Sequence, residues 1–144
     1  MNSPDPHNLQ RFVDAQEGVF ETVLQELRAG QKQSHWMWFV FPQLAALGRS
    51  PTAQFYGIHS LEEALAFLSH PLLGPRLTDS AAVVAGWAGR LTAEQILGPV
   101  DAMKLRSSLT LFDRASPGDT FGNALEKFFG GPDERTLALL QGED

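Results

Sequence analysis

An all-α fold is predicted for this chain by three observations. Apolar residues recur at three- and four-residue spacing along most of its length. Ser, Thr, Asp, Pro and Gly fall at the positions where helices start and stop. The stretches between these punctuated segments are short, with no internal repeat, low-complexity tract or linker. At 144 residues, 43% hydrophobic and 19% charged, the chain has the size and composition of one folded domain. The expectation is a compact single-domain array over 1–144, of about seven to nine short helices with little or no strand. Residues 1–7 are expected to form a flexible tail.

Leu9, Phe12 and Val13, then Phe20, Val23, Leu24 and Leu27, lie at helical spacing. Gly18 divides them into helices near 7–17 and 18–29, and Gly30 stops the second. The aromatic run Ser34-His-Trp-Met-Trp-Phe-Val-Phe-Pro42 suits a strand or a short buried helix. The helix is preferred, with Ser34 as cap and Pro42 as terminator. Gly48-Arg-Ser-Pro51 reads as a loop. Ser60-Leu-Glu-Glu63 has the spacing of a capping box and starts a helix to about Ser69. A further helix runs from Pro71 to about Trp87. Thr92-Ala-Glu-Gln95 repeats the capping-box pattern before a single turn ending at Gly98. Pro99 suits a first helical position, and that helix continues to about Ala115. Ser116-Pro-Gly-Asp119 is a turn. Phe121 to Phe128 mark the next helix, closed by Gly130-Gly131, and Asp133 caps the last.

Composition narrows the function. The chain has no cysteine, which removes disulfides, cysteine zinc sites and thiol nucleophiles and fits a cytoplasmic protein. The polar first ten residues resemble neither a signal nor a transit peptide. The longest apolar run, Trp36 to Pro42, is too short to cross a membrane. A net charge of −6 and a pI near 5.1 disfavour general nucleic-acid binding, because phosphates call for the opposite sign. A small anion held by local cations stays open. No HExxH, Gly-x-Ser-x-Gly, Walker or dinucleotide-binding pattern is present, so no metal and no cofactor is implied.

Helix 99–115 is the most informative segment. On a helical projection Leu105, Leu109 and Phe112 form one apolar edge, and Val100 and Leu111 another. Asp101, Lys104 and Ser108 lie between them as a narrow polar stripe. Such a stripe is either an internal ion pair or a pocket wall offering an ammonium and a hydroxyl to an anion. Upstream, a cap at Ser34 would leave free backbone amides as an anion site, with Lys32 and His35 beside it. Trp36 and Trp38 offer flat faces to a ring, and Gln43 can orient a polar edge. Arg76 can clamp phosphate or carboxylate through two parallel hydrogen bonds.

The stretch Lys32-Gln-Ser-His-Trp-Met-Trp-Phe-Val-Phe-Pro-Gln43 resembles the central signature of domain-of-unknown-function family 1810. Further segments match in order: Arg11 to Gln16, Glu26 to Gly30, Leu47 to Ser50, Tyr56 to Ile58, His70 to Leu77, Asp101 to Phe112 and Asp133 to Leu140. The resemblance spans about Asn8 to Leu140. It implies a small, mainly helical cytosolic protein and no established activity. Gly18 and Phe20 stand where the family has Pro and Tyr. A more distant similarity is to NADAR domains, helical N-glycosidases acting on ADP-ribose derivatives and phosphorylated riboflavin precursors. It rests on the order of Lys32 to Phe41, Lys104 to Phe112 and Phe121 to Phe129. The Glu expected beside the early His is absent, since Ser34 precedes His35, so Asp101 would have to support the developing oxocarbenium ion.

Together these readings predict a site for a phosphorylated, ring-containing small molecule. Lys32, Arg76, Lys104 and Arg106 hold its anionic oxygens, with Ser108 and Gln43 as polar contacts. Trp36 and Trp38 pack on the ring, and His35 and Asp101 form the acid–base pair if there is hydrolysis. The competing expectation is a non-catalytic helical interaction module in which the polar cluster is structural.

Overall fold

The computed structural model describes residues 5–142. Ten α-helices follow one another, and among the described residues there is no strand. They are α1 (Gln10–Gln16), α2 (Phe20–Arg28), α3 (Met37–Val40), α4 (Pro51–Phe55), α5 (Leu61–Ser69), α6 (Leu73–Ala85), α7 (Ala93–Leu97), α8 (Pro99–Ala115), α9 (Asp119–Phe129) and α10 (Glu134–Gln141), with a 3-10 turn at Ala45–Leu47. The sequence prediction of seven to nine falls one short. The extra helix is α4, hidden in what reads as a loop: Ser50 caps it through Ala53 N and Pro51 occupies its first turn. No described helix is long and apolar enough to cross a membrane. Of the expected tail, residues 1–4 lie outside the described residues, whereas the Asp5 carboxylate accepts the amides of Leu9 and Gln10.

Local punctuation explains most boundaries. Thr92 and Gln95 form the full reciprocal capping box of α7. Asp133 caps α10 through Thr136 N. Gly130 closes α9 at φ 73°, a left-handed conformation open to glycine without a Cβ penalty. Ser60 caps α5 by accepting Glu63 N. The Glu63 carboxylate does not return to Ser60, however, so only half of that predicted box forms.

Glu63 is drawn elsewhere. It is buried and ion-paired with Arg11, Nη2 to Oε2 at 2.7 Å. Arg11 also donates through Nε to Phe55 O, through Nη1 to the carbonyls of His7 and Asn8, and through Nη2 to Gly57 O. All five N–H groups of the guanidinium are thus used. Glu63 Oε1 accepts His59 N. One arginine therefore ties α1, the 55–57 connection and α5 together.

Helix α8 is the hub, packing against α5, α7, α9 and α10, while α6 packs against α2, α5 and α9. A chain of ring contacts runs through the centre. Phe12 meets Phe67 at 5.0 Å edge-on, Phe67 meets Phe112 at 5.3 Å and Phe112 meets Phe121 at 6.1 Å. These separations and tilts are those aromatic pairs prefer. Two close approaches admit only glycine. A Cβ on Gly74 would collide with the Leu68 carbonyl, and one on Gly57 with the Cα of Ala45. The second brings Leu44 and Ile58 into an isolated parallel bridge, with Ala45 N donating to Ile58 O and Ile58 N to Gln43 O.

The two-flank picture of α8 holds only in its second half. Leu105, Leu109, Leu111 and Phe112 are fully buried, but Val100 is 66% and Met103 68% exposed. The first turns of α8 therefore stand at the surface. This positions Asp101 and Lys104 between core and solvent.

Candidate functional site

The segment between α2 and α3 carries the first group of candidates. Helix α3 starts only at Met37, and its N-cap position is Trp36, without a side-chain cap. This corrects the prediction that Ser34 caps it. Ser34 Oγ instead donates to Glu26 Oε2. Glu26 Oε1 accepts Gln33 N at 2.7 Å, Ser34 N at 3.1 Å and Trp36 Nε1 at 2.9 Å. The sequence reading looked here for an anion from outside. The loop amides do bind an anion, and it is the protein's own Glu26, eight residues upstream of Ser34. Burial alone would raise the Glu26 pKa. The hydrogen bonds from Ser34, Gln33 and Trp36 outweigh it and hold the carboxyl down at about 2, from an ordinary 4.5.

A depressed carboxylate contributes stability that is complete above its unfolded pKa and lost as pH falls toward the folded one. The window here is about 4.5 down to about 2. Glu26→Gln is therefore expected to be clearly less stable than the wild type at pH 6, with the gap closing between pH 5 and pH 2. Urea midpoints at one-unit intervals check this, and parallel pH curves for the two proteins would contradict it.

Trp36 is buried at 2% exposure, so the proposed stacking face is closed to a ligand. Its ring instead lies 5.3 Å from Lys32 Nζ. Lys32 in turn reaches α8. Its Nζ sits 2.9 Å from Asp101 Oδ2, both side chains being largely buried at 9% and 19% exposure. Lys104 Nζ lies 3.5 Å from the other oxygen, Asp101 Oδ1, and 5.0 Å from the centroid of Trp38. One carboxylate thus stands between two ammonium groups, flanked by two indoles. The intrahelical pair expected from the Asp101–Lys104 spacing is present, and the shorter contact comes from Lys32.

Lys104 also forms part of the wall of a cleft of about 370 Å³ between the start of α8, the 43–49 segment and the start of α10. Three more cations line it: Arg49, Arg106 and Arg135. Arg106 is anchored, its Nε donating to Gly131 O at 3.1 Å. Arg49 and Arg135 are exposed and have no acidic partner among the described residues. Leu47, Val100 and Met103 supply the apolar surface, and Gln43 the edge nearest Trp38. The one acid is Asp133, whose Oδ2 is engaged by Thr136 N, Thr136 Oγ1 and Ser107 Oγ. In a chain of net charge −6, four of 11 basic residues face one cleft against a single carboxylate.

Of the sequence candidates, Lys32, Asp101 and Lys104 converge, and Gln43, Lys104 and Arg106 line the cleft. Three others do not join them. Ser108 is fully buried with its hydroxyl unpartnered. It points into the core, and Ser107 takes the place on the cleft wall. Arg76 lies elsewhere, donating to Gln16 Oε1 at 3.1 Å and packing 4.8 Å from the Phe20 ring. His35 is exposed, and both Asp101 oxygens face lysines rather than an imidazole. The acid–base pair is not assembled. Sequence reasoning missed Arg49 and Arg135. Their only signal was that both fall inside segments carrying the family resemblance.

Among the described residues, nine shorter helices around one central helix, with a cation-lined cleft at its exposed end, define a small all-α protein. The chain belongs to the family described as Protein of unknown function (DUF1810), which it matches over residues 6–140. It is also similar to the conserved hypothetical protein Rv1873 from Mycobacterium tuberculosis, known from a crystal structure. Identity is 55%, over 95% of this chain and 99% of that one, with a TM-score of 0.92. A comparison with curated proteins gives no match. None of these findings carries the similarity to NADAR domains.

Proposed function

We propose that the cleft between α8, the 43–49 segment and α10 binds a small, multiply charged anion carrying an apolar or ring portion, such as a nucleotide or sugar phosphate. The observation behind this reading is the convergence of Arg49, Lys104, Arg106 and Arg135 in an otherwise acidic molecule. Guanidinium groups match phosphate oxygens with paired N–H bonds. Leu47, Val100 and Met103 suit the less polar part of such a ligand, and a volume of about 370 Å³ is within the range of small-molecule sites. The reading is one of binding, because His35 and Asp101 are not placed to exchange a proton.

A thermal-shift screen with nucleotides and sugar phosphates tests it. A ligand at a hundred times its Kd stabilises the native state by about 2.7 kcal/mol, or roughly 8 °C for a domain of this size. Lys104→Met and Arg135→Ala are each expected to abolish that shift while leaving the free protein's Tm within about 2 °C, since both side chains have solvent access. No shift from any phosphorylated compound would remove the proposal.

The alternative, a helical interaction module, is favoured by one observation, the exposure of Val100 and Met103 at the rim of the cleft. On that reading Val100→Ser and Met103→Ser abolish capture of a protein partner and no phosphorylated compound shifts the Tm.

A further inference from the structure

Lys32 is more buried than Lys104, yet it does not line the cleft. A buried ammonium is costly unless a partner compensates it, and Asp101 does so at 2.9 Å, within charge-assisted hydrogen-bond range. At 3.5 Å the Lys104–Asp101 contact is longer than such a bond. The carboxylate is thus held on its inner side, and the outer lysine is held loosely. Lys104 belongs to the cleft wall as well as to the ion cluster, so it has two competing uses.

Building on the anion-binding reading above, we propose that Lys32 is a positioning residue that sets the charge of the cleft from outside it. By neutralising Asp101, Lys32 leaves Lys104 available to a phosphate. Without Lys32, the only ion-pair partner left to Asp101 among the described residues is Lys104. The carboxylate would then draw in that ammonium, and the cleft would lose a positive charge although none of its lining residues had changed. The class of ligand selected is one with at least two negative charges close together, a phosphomonoester or diphosphate, because Lys104 and the arginines act on it jointly. A monocarboxylate gains little from the fourth cation.

Titration with inorganic pyrophosphate, followed by calorimetry, tests the inference on the full chain. Lys32→Met is expected to weaken pyrophosphate binding roughly tenfold, the scale of one unit charge acting across several ångströms of partly solvated protein. Asp101→Asn is expected to leave binding equal to the wild type or tighter, since it frees Lys104 by the other route. The double variant Lys32→Met/Asp101→Asn is expected to return to wild-type affinity. A purely structural ion pair predicts instead that Lys32→Met lowers the stability of the free protein, that the double variant recovers it, and that each folded variant binds pyrophosphate as the wild type does. If wild-type protein does not bind pyrophosphate, the anion-binding reading fails and this inference with it. If wild type binds and Lys104→Met does not, but Lys32→Met binds normally, the cleft stands and the role of Lys32 is overturned. Should Lys32→Met fail to fold, Asp101→Asn decides alone: weakened binding there overturns the proposal, because Asp101 would then serve the ligand rather than compete with it.

Discussion

Replacing Arg11 by Met is expected to destabilise the protein by about 3–5 kcal/mol, the cost of breaking a buried ion pair from one side. Glu63 would be left at 3% exposure without the guanidinium, with only the exposed His59 imidazole beside it, Nδ1 3.2 Å from Oε1. The loss does not stop there, because Arg11 also serves the carbonyls of His7, Phe55 and Gly57. The double variant Arg11→Met/Glu63→Leu separates the two contributions. Removing both charges of a buried pair is often neutral, so the electrostatic part should be recovered. The carbonyls that lost their donor should still cost about 2 kcal/mol. Urea unfolding of the two singles and the double measures this directly. A single-variant loss below 1 kcal/mol would show that water takes over the role of the guanidinium.

Gly74→Ala is expected to be comparably damaging, at about 3 kcal/mol or more, for a steric reason alone. The added methyl would strike the Leu68 carbonyl where α5 hands over to α6, and neither backbone can retreat without separating two core helices. Gly122 in α9 is the matched control. A Cβ there comes 3.3 Å from Asp113 Oδ1, the end of a side chain free to turn aside. Gly122→Ala should therefore stabilise by about 0.5–1 kcal/mol through helix propensity and a less free unfolded chain. The same substitution is thus expected to have opposite signs 48 positions apart, and thermal melts of the two variants suffice to check it. Equal effects would contradict the close packing of α5 on α6.

What could be read from the sequence follows the range of the interactions. The caps at Thr92 and Asp133 and the stop at Gly130 act within four residues, so spacing alone reveals them. The all-α class follows from the same local regularity. Helix α4 was missed although its Ser50-Pro51 start is a local signal, because five residues are too few for a periodic apolar pattern. Nothing local marks Arg11, beside Phe12 in a short helix, as a buried ion-pair partner, since Glu63 is 52 positions away. Local reasoning expected an anion at the free amides of a helix start capped by Ser34; the amides that do hold a carboxylate are those of 33 and 34, and their anion, Glu26, belongs to the preceding helix. The cleft depended on distance most of all. Its cations come from 49, 104–106 and 135, and only the docking of α10 against α8 brings them to one place. Ser108 shows the opposite error. A helical projection assigns it to a stripe with Asp101 and Lys104, but the helix sinks into the core between 104 and 108, so one angular sector is wet at one end and dry at the other.

That gradient along α8 has a consequence for how the molecule breathes. The amides of the buried second half should exchange with solvent only when the whole domain opens, whereas the exposed first turns sample local fraying. Lys104 and Arg106 stand at the boundary between these regimes. A ligand drawn to them would clamp the frayed end onto the part that opens last. Its binding would therefore appear in hydrogen exchange as slowed exchange in residues 100–104, without any change of mean structure.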